Sequence, residues 1–210
     1  MIKLHQLSQG SISYAWAAVA GKADNRLTRE RLLCLNYRKL TLLLGFRWEE
    51  VPGMLEKRIG AVAVIVGEEV WVIGGGDGNG SASTEILELV ANDPINWKWK
   101  SGPQLLNARY AHCSLLVNNR SEIVVIGGHS PDGIVGVVEV LDVTSGQVTT
   151  LAPEMPHLRW GSVCLPLDNG ERIAVTGGMD NWFLPHKSVD VLDTVSWQWE
   201  EGEASTVEIT

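Results

Sequence analysis

The stretch Val125-Ile126-Gly127-Gly128 decides the fold, because a β-branched run closed by a glycine pair recurs along the chain. The other copies are Val72-Ile73-Gly74-Gly75 and Val175-Thr176-Gly177-Gly178. The first glycines of successive pairs lie 53 and 50 residues apart. A repeat of this length indicates one structural unit stacked on copies of itself.

Each unit opens with an arginine and holds four strand-length segments. In the middle unit, Arg109 precedes apolar or β-branched runs at 110–117, 122–126, 137–143 and 147–151, which are separated by turn residues. Four short antiparallel strands in about 50 residues form one blade of a β-propeller. The units before and after it open with Arg58 and Arg159, so arginines and glycine pairs share the period.

The repeat predicts an all-β chain, a propeller of about four four-stranded antiparallel blades that form a partial or unusually small ring. We expect residues 1–210 to be a single domain. Its blades are predicted at 58–108, 109–158 and 159–210, after a degenerate blade at 1–57, where Gly21 continues the period. A short helix over 27–35 is the alternative for part of that first segment.

Composition excludes several classes of protein. The chain is 45% hydrophobic with a net charge of −8, so neither nucleic acid nor an anionic membrane is an expected partner. No apolar run approaches the roughly 18 residues of a membrane-spanning helix. The three cysteines form no C-x-x-C pair, which argues against a disulfide framework and a zinc site, and we expect a reduced, cytoplasmic protein. Cys113 and Cys164 are predicted to be small buried hydrophobic residues at equivalent positions.

The residues resemble the kelch repeat over about 46–200. The family pattern is a glycine pair, an acidic or aromatic position in the next strand, and a tryptophan in the last. The acidic positions are Asp142 and Asp193, and the tryptophans are Trp48, Trp97 or Trp99, and Trp197 or Trp199. The middle unit departs from the pattern, with Val148 and Thr149 where tryptophan is expected.

Successive strands of an antiparallel blade run in opposite directions, so the loop after each glycine pair returns to the same rim of the propeller as the arginines. The loop 179–187 also holds Trp182 beside Phe183, and exposed aromatic residues are enriched at binding hot spots. The arginines have a structural alternative, in which they bond to backbone carbonyls or acidic partners. The predicted partner-binding residues are Arg58, Arg109, Arg159, Asp77, Asn79, His129, Asp132, Asp180, Trp182 and Phe183.

The resemblance implies a protein-interaction module or scaffold that holds a partner peptide or loop on this rim. Kelch modules recruit substrates to cullin-type ubiquitin ligases or bind actin-associated proteins, so a part in such a complex is expected. We predict no enzyme, with no catalytic residue, metal or cofactor. The alternatives are a kelch-fold sugar-processing enzyme such as a sialic-acid epimerase, and a truncated propeller fragment without function. Unclosed blade edges also predict self-association.

Overall fold

The computed structural model describes residues 33–34, 49–89, 97–117, 121–151 and 153–201. Strands β1 (Leu33–Cys34) and β2 (Glu49–Glu50) form an antiparallel pair. They lie within the range 1–57 predicted for the degenerate blade. Most of the rest of that blade, including Gly21 and most of the alternative helix, falls outside the described residues.

Three complete four-stranded antiparallel sheets follow in the described part of the chain. The first blade consists of β3 (Val62–Val66), β4 (Glu69–Ile73), β5 (Thr84–Leu89) and β6 (Trp97–Ser101). The second consists of β7 (Cys113–Val117), β8 (Glu122–Ile126), β11 (Glu139–Asp142) and β12 (Val148–Thr150), with a small hairpin of β9 (His129–Ser130) and β10 (Gly133–Ile134) in its loop. The third consists of β13 (Trp160–Leu167), β14 (Arg172–Met179), β15 (Val189–Asp193) and β16 (Gln198–Glu201).

Each blade is a meander in which consecutive strands pair, apart from the inserted hairpin. The predicted all-β fold with four-stranded antiparallel blades is therefore confirmed. The three sheets lie inside the predicted ranges 58–108, 109–158 and 159–210, and the assignment of the whole chain to one domain stays a prediction. In the described ranges no helix is long and apolar enough to cross a membrane.

Apolar faces pack one blade against the next. Ile73 and Ile86 of the first blade meet Ile123 and Leu141 of the second in one buried cluster. A second cluster joins the facing sides of the second and third blades and includes Met155. The core is thus divided into layers between blades, and burial of each layer supplies the main stabilising free energy.

The tryptophans of the last strands pack against the buried clusters. Trp99 lies against the cluster on the outer side of the first blade, and Trp199 lies against the cluster between the second and third blades. Their indole N–H groups donate to the carbonyls of Pro52 and Pro153 at 2.8 and 2.9 Å. Each indole therefore covers apolar area while its polar atom keeps a partner.

Backbone hydrogen bonds also link the blades. The second glycine of a pair donates to the carbonyl of the next arginine, Gly75 to Arg109 at 2.9 Å and Gly128 to Arg159 at 3.2 Å. Two residues beyond each arginine, a second set of bonds runs from Ala111 N to Gly60 O and from Gly161 N to Ala111 O, both at 2.7 Å. The glycine-pair motif therefore forms the contact between blades.

Cys113 and Cys164 form a disulfide between the second and third blades, with a Cα–Cα distance of 5.8 Å. The prediction of unbonded cysteines at equivalent positions is wrong. Cys113 pairs across the sheet with Ile126, one residue before Gly127, whereas Cys164 pairs with Val175, two residues before Gly177. A shift of one residue turns a strand side chain to the opposite face, so the two sulfur atoms face each other across the interface.

Candidate functional site

Three buried arginines hold the loops that follow the glycine pairs. Each guanidinium donates to the carbonyl of the first glycine of its own blade, from Arg58 to Gly74, from Arg109 to Gly127 and from Arg159 to Gly177, at 2.7–3.1 Å. Each also donates to a carbonyl where the loop returns to the third strand, at Ser83, Val137 and Ser188. The two ends of every loop are therefore fixed by one side chain.

A buried carboxylate completes each of these arginine sites. Glu85 and Asp190 accept from Arg58 and Arg159 at 2.9 and 2.6 Å, and Glu139 accepts from Arg109. Backbone N–H groups bind the same carboxylate oxygens: Glu139 also accepts the N–H groups of Leu106 and Asn107 at 2.6 and 3.0 Å. Sequence reasoning missed these three carboxylates, although they lie 27–31 residues after their arginines.

These contacts bear on the prediction that the arginines are partner-binding residues on the rim. The side chains of Arg58, Arg109 and Arg159 are all 0% exposed and are bonded to carbonyls and carboxylates. Burial lowers the pKa of Arg109, and the charge of Glu139 opposes that shift. These are the contacts that the structural alternative predicted, and a partner could reach the arginines only by displacing the loops, so their assignment to a partner stays a prediction.

The two acidic residues of the kelch pattern, Asp142 and Asp193, stabilise turns. Oδ1 of Asp142 accepts the N–H groups of Thr144 and Ser145, and the N–H bond from Ser145 is the main cause that lowers the pKa of this carboxyl. Asp193 caps the corresponding turn of the third blade in the same way through Ser196. Both residues shape the outer turns of their blades.

The loop 179–187 presents three consecutive apolar side chains to solvent. Trp182, Phe183 and Leu184 are 78%, 69% and 61% exposed. Asp180 organises the backbone beneath them, because its Oδ1 accepts the N–H groups of Trp182 and Leu184 at 2.8 and 2.9 Å. Main-chain bonds between Asp180 and both Phe183 and Leu184 close the turn. We call residues 182–184 the aromatic tip.

A cluster of rings connects this tip to the loop of the second blade. Phe183 meets Trp160 edge-on at a centroid distance of 5.5 Å, and Trp160 lies 6.1 Å from His129. Tyr110 completes the set at 5.5 Å from His129 and 6.5 Å from Trp160. Trp160 Nε1 donates to the carbonyl of Asp180, whereas Nδ1 of His129 is buried without a hydrogen-bond partner among the described residues.

The other predicted rim residues lie in their own loops. Asp77 Oδ1 accepts from the backbone and side chain of Asn79 at 3.3 and 3.4 Å, and both residues are exposed. Asp132 is exposed in the turn of the β9–β10 hairpin, where its N–H donates to Ser130 Oγ. Of the predicted site, the structure thus brings together Asp180, Trp182, Phe183 and His129. Sequence reasoning missed Tyr110 and Trp160, which directly follow the arginines.

His112 is a buried histidine between the first and second blades. Neither ring nitrogen has a partner in the described part of the chain, and the Cε1 atom lies 2.8 Å from where a Cβ on Gly74 would stand. Burial lowers the pKa of His112 to about 3, with a smaller contribution from the charge of Arg109. The imidazole is therefore neutral at physiological pH.

Comparison with known proteins supports this architecture. A kelch repeat protein of Myxoma virus (strain Lausanne), M-T8, is 26% identical over 160 residues, which cover 72% of this chain and 29% of that protein. The structure of YjhT matches with a TM-score of 0.61 at 15% identity, over 74% of this chain and 54% of the YjhT chain. The resemblance to the kelch-repeat family is confirmed.

Other comparisons limit what the kelch fold implies. A tRNA wybutosine-synthesizing protein 2/3/4 of Oryza sativa subsp. japonica is 25% identical over 105 residues, half of this chain and 10% of that protein. No family model matches the chain. The kelch blades described here span about half of the matched structure and less than a third of the viral relative.

The prediction that the chain is not an enzyme is wrong in the light of these matches. The structural match to YjhT places the kelch blades in a fold class that also includes the sugar-processing propellers of the resemblance. One curated relative is named for a synthetic activity.

Proposed function

We propose that this chain is a binding module whose loop rim engages a protein partner, with the aromatic tip as the central contact. The observation that carries the proposal is the exposure of three adjacent large apolar side chains on a loop held by Asp180. Exposed apolar clusters of this kind mark interaction sites, and tryptophan is the residue most enriched at hot spots.

The tip is fixed before a partner arrives, which supports the proposal energetically. Phe183 has a φ of +61°, a left-handed conformation that costs a non-glycine residue free energy. Hydrogen bonds to Asp180 and the contact with Trp160 hold it there. A loop that is already ordered loses little conformational entropy on binding, so more of the contact energy appears as affinity.

The convex shape of the tip suggests which side supplies the pocket. Trp182, Phe183 and Leu184 project outward, so the partner in this proposal contributes an apolar cleft or a loop that wraps around the tip. Recruitment of a ubiquitin-ligase substrate or of a cytoskeletal protein, as the kelch resemblance implies, is the finer form of the proposal. Asp77, Asn79 and Asp132 would serve as polar contacts at the edge of that surface.

The experiment measures capture of peptides and folded domains selected from a display library against the intact chain. Trp182→Ala is expected to weaken binding of the selected ligands by about 30-fold or more, the effect of losing a hot-spot side chain. Val195→Ala is the matched control, because Val195 is 76% exposed in the turn after β15, away from the rim. If both variants bind as the wild type does, the rim proposal fails.

A sugar-processing role is the second candidate, and the ring cluster of Tyr110, His129, Trp160 and Phe183 favours it. Aromatic faces with one unpaired ring nitrogen offer stacking surface and a polar contact to a saccharide. A thermal-shift screen of neutral and acidic sugars tests it, since a ligand that binds only the folded state raises the melting temperature. A shift lost in Trp160→Leu but kept in Val195→Ala would support the enzyme, and no shift with any sugar would remove it.

A further inference from the structure

Two histidines lie close together near the end of the loop that carries the aromatic tip. The ring centroids of His157 and His186 are 6.1 Å apart, and the ring planes meet at 67°. His157 belongs to the connection between β12 and β13, whereas His186 belongs to the loop 179–187. Neither side chain takes part in the aromatic tip or in the ring cluster, so the pair is a separate feature of the molecule.

The buried carboxylate of Asp190 fixes the tautomer of His157. Nδ1 of His157 lies 2.8 Å from Oδ1 of Asp190, and Oδ2 of the same carboxylate accepts from Arg159 at 2.6 Å. An ionised carboxylate only accepts hydrogen bonds, so Nδ1 carries the proton and Nε2 keeps a free lone pair. The His157 side chain is 41% exposed, although that of Asp190 is 0% exposed. A solute can therefore reach this imidazole.

A backbone carbonyl fixes the tautomer of His186. Nε2 of His186 lies 3.1 Å from the carbonyl oxygen of Leu158, and a carbonyl oxygen only accepts, so Nδ1 keeps the lone pair of this ring. The main chain is held on both sides. The N–H of His186 donates to Gly178 O at 3.0 Å, and the carbonyl of His157 accepts from Nε of Arg159 at 3.1 Å.

These second contacts are those that metal-binding histidines make. Such a histidine donates its other ring N–H to a carboxylate or a backbone carbonyl, which orients the ring and raises the basicity of the free nitrogen. In a tetrahedral zinc site, with Zn–N distances of about 2.0–2.1 Å, two imidazole centroids lie about 5 Å apart, so the two rings would need to approach by only about 1 Å. Asp190 also balances the charge of Arg159 beside the pair.

We propose that His157 and His186 bind a divalent transition-metal cation such as Zn²⁺, through Nε2 of His157 and Nδ1 of His186. Imidazole nitrogen is a suitable ligand for Zn²⁺. Among the described residues, no group of three or more histidine, cysteine and carboxylate side chains could hold a metal ion. Water therefore completes the coordination, and the metal exchanges readily. The bound cation ties the loop 179–187 to the connection before β13. This inference does not depend on the proposed rim function.

Isothermal titration calorimetry of the untagged whole chain with zinc chloride tests the proposal at neutral pH, where neutral imidazole is present to bind the metal. The wild type is expected to bind a single Zn²⁺ at this site. His157→Gln and His186→Gln are each expected to weaken binding at least about tenfold, since the loss of even an outer-shell partner has about this effect. His5→Gln makes the same substitution elsewhere in the sequence and should bind as the wild type does.

Nuclear magnetic resonance of the imidazole nitrogens gives a readout that needs no metal. In the metal-free chain, His157 is expected to carry its proton on Nδ1 and His186 on Nε2. The opposite tautomer in either ring would overturn the proposal, as would a wild type that does not bind Zn²⁺. If either glutamine variant binds Zn²⁺ as tightly as the wild type, the pair is not the site. Thermal melts confirm that the compared proteins are folded.

Discussion

Ala111 has a left-handed backbone conformation, and the equivalent positions in the other two blades are occupied by glycine. The positions two residues after the three arginines are Gly60, Ala111 and Gly161, and their φ angles are +66°, +50° and +67°. A left-handed conformation costs an L-residue about 1–2 kcal/mol, whereas glycine adopts it without a steric clash. The interblade bonds from Ala111 N and to Ala111 O hold the residue in place.

Ala111→Gly is therefore expected to raise the free energy of unfolding, by about 0.5–1 kcal/mol after the extra chain entropy of glycine is subtracted. Urea unfolding monitored by tryptophan fluorescence measures it. Ala63→Gly is the control, since Ala63 lies within β3 and the same change should lower stability there. A less stable Ala111→Gly variant would contradict the argument.

His112 makes stability depend on pH. Its pKa is about 3 in the folded protein against 6.5 for the ordinary imidazole, so the unfolded chain binds a proton between these values that the folded chain does not. The stabilising contribution is present above pH 6.5 and is lost as the pH falls toward 3, by about 1.4 kcal/mol per pH unit.

Denaturant titrations from pH 7 to pH 4.5 measure this dependence at pH values that do not fall below the ordinary pKa values of carboxyl groups. His112→Leu removes the titrating group and should flatten the curve over that range, even if the variant is less stable at pH 7. An equally steep loss of stability in His112→Leu would assign the effect to other groups.

Among the elements, β7 and β13 are joined by the disulfide between Cys113 and Cys164. The bridge closes a loop of 51 residues, and bridges of this kind contribute about 2–4 kcal/mol. We expect reductant to lower the denaturation midpoint of the wild type by a corresponding amount. The Cys113→Ser/Cys164→Ser double variant should have the lower midpoint with or without reductant. A wild type that responds to reductant no more than this variant would argue against a stabilising bridge.

The sequence predicted these elements well because glycine pairs and arginines keep one period. It failed where one residue of register mattered, since Cys164 lies 51 residues after Cys113 while the glycine pairs there are 50 apart. Because successive side chains of a strand point to opposite faces, this shift of one residue places the Cys164 side chain on the opposite face from the one expected. The partners Glu85, Glu139 and Asp190 were missed for a related reason, because loops of different length separate them from their arginines.

The same reasoning found part of the candidate site. Trp182 and Phe183 stood out as aromatic residues in a non-repeated loop, and both are exposed. The arginines were assigned to a partner because charge alone does not tell whether a side chain is buried. Tyr110 and Trp160 escaped notice because they look like ordinary strand residues until the loops bring His129 and Phe183 against them.

At the scale of the molecule, the array has interior interfaces and an open end, and equivalent substitutions should differ between them. Gly74→Ala and Gly177→Ala both introduce a side chain at positive φ, but only the first drives a Cβ against Arg109 O and His112. Overpacking costs about 1–3 kcal/mol, so Gly74→Ala should be the more destabilising by that margin. Urea unfolding makes the comparison, and equal losses would refute it.

Arg109 and Arg159 each bind in two directions. The guanidinium of each ties together its own blade, while its main-chain carbonyl accepts the N–H of the preceding glycine pair. A gene duplication that adds one whole unit carries both halves of this contact with it. An insertion of another length within the strands would separate them, so such chains can grow in evolution most readily by complete blades.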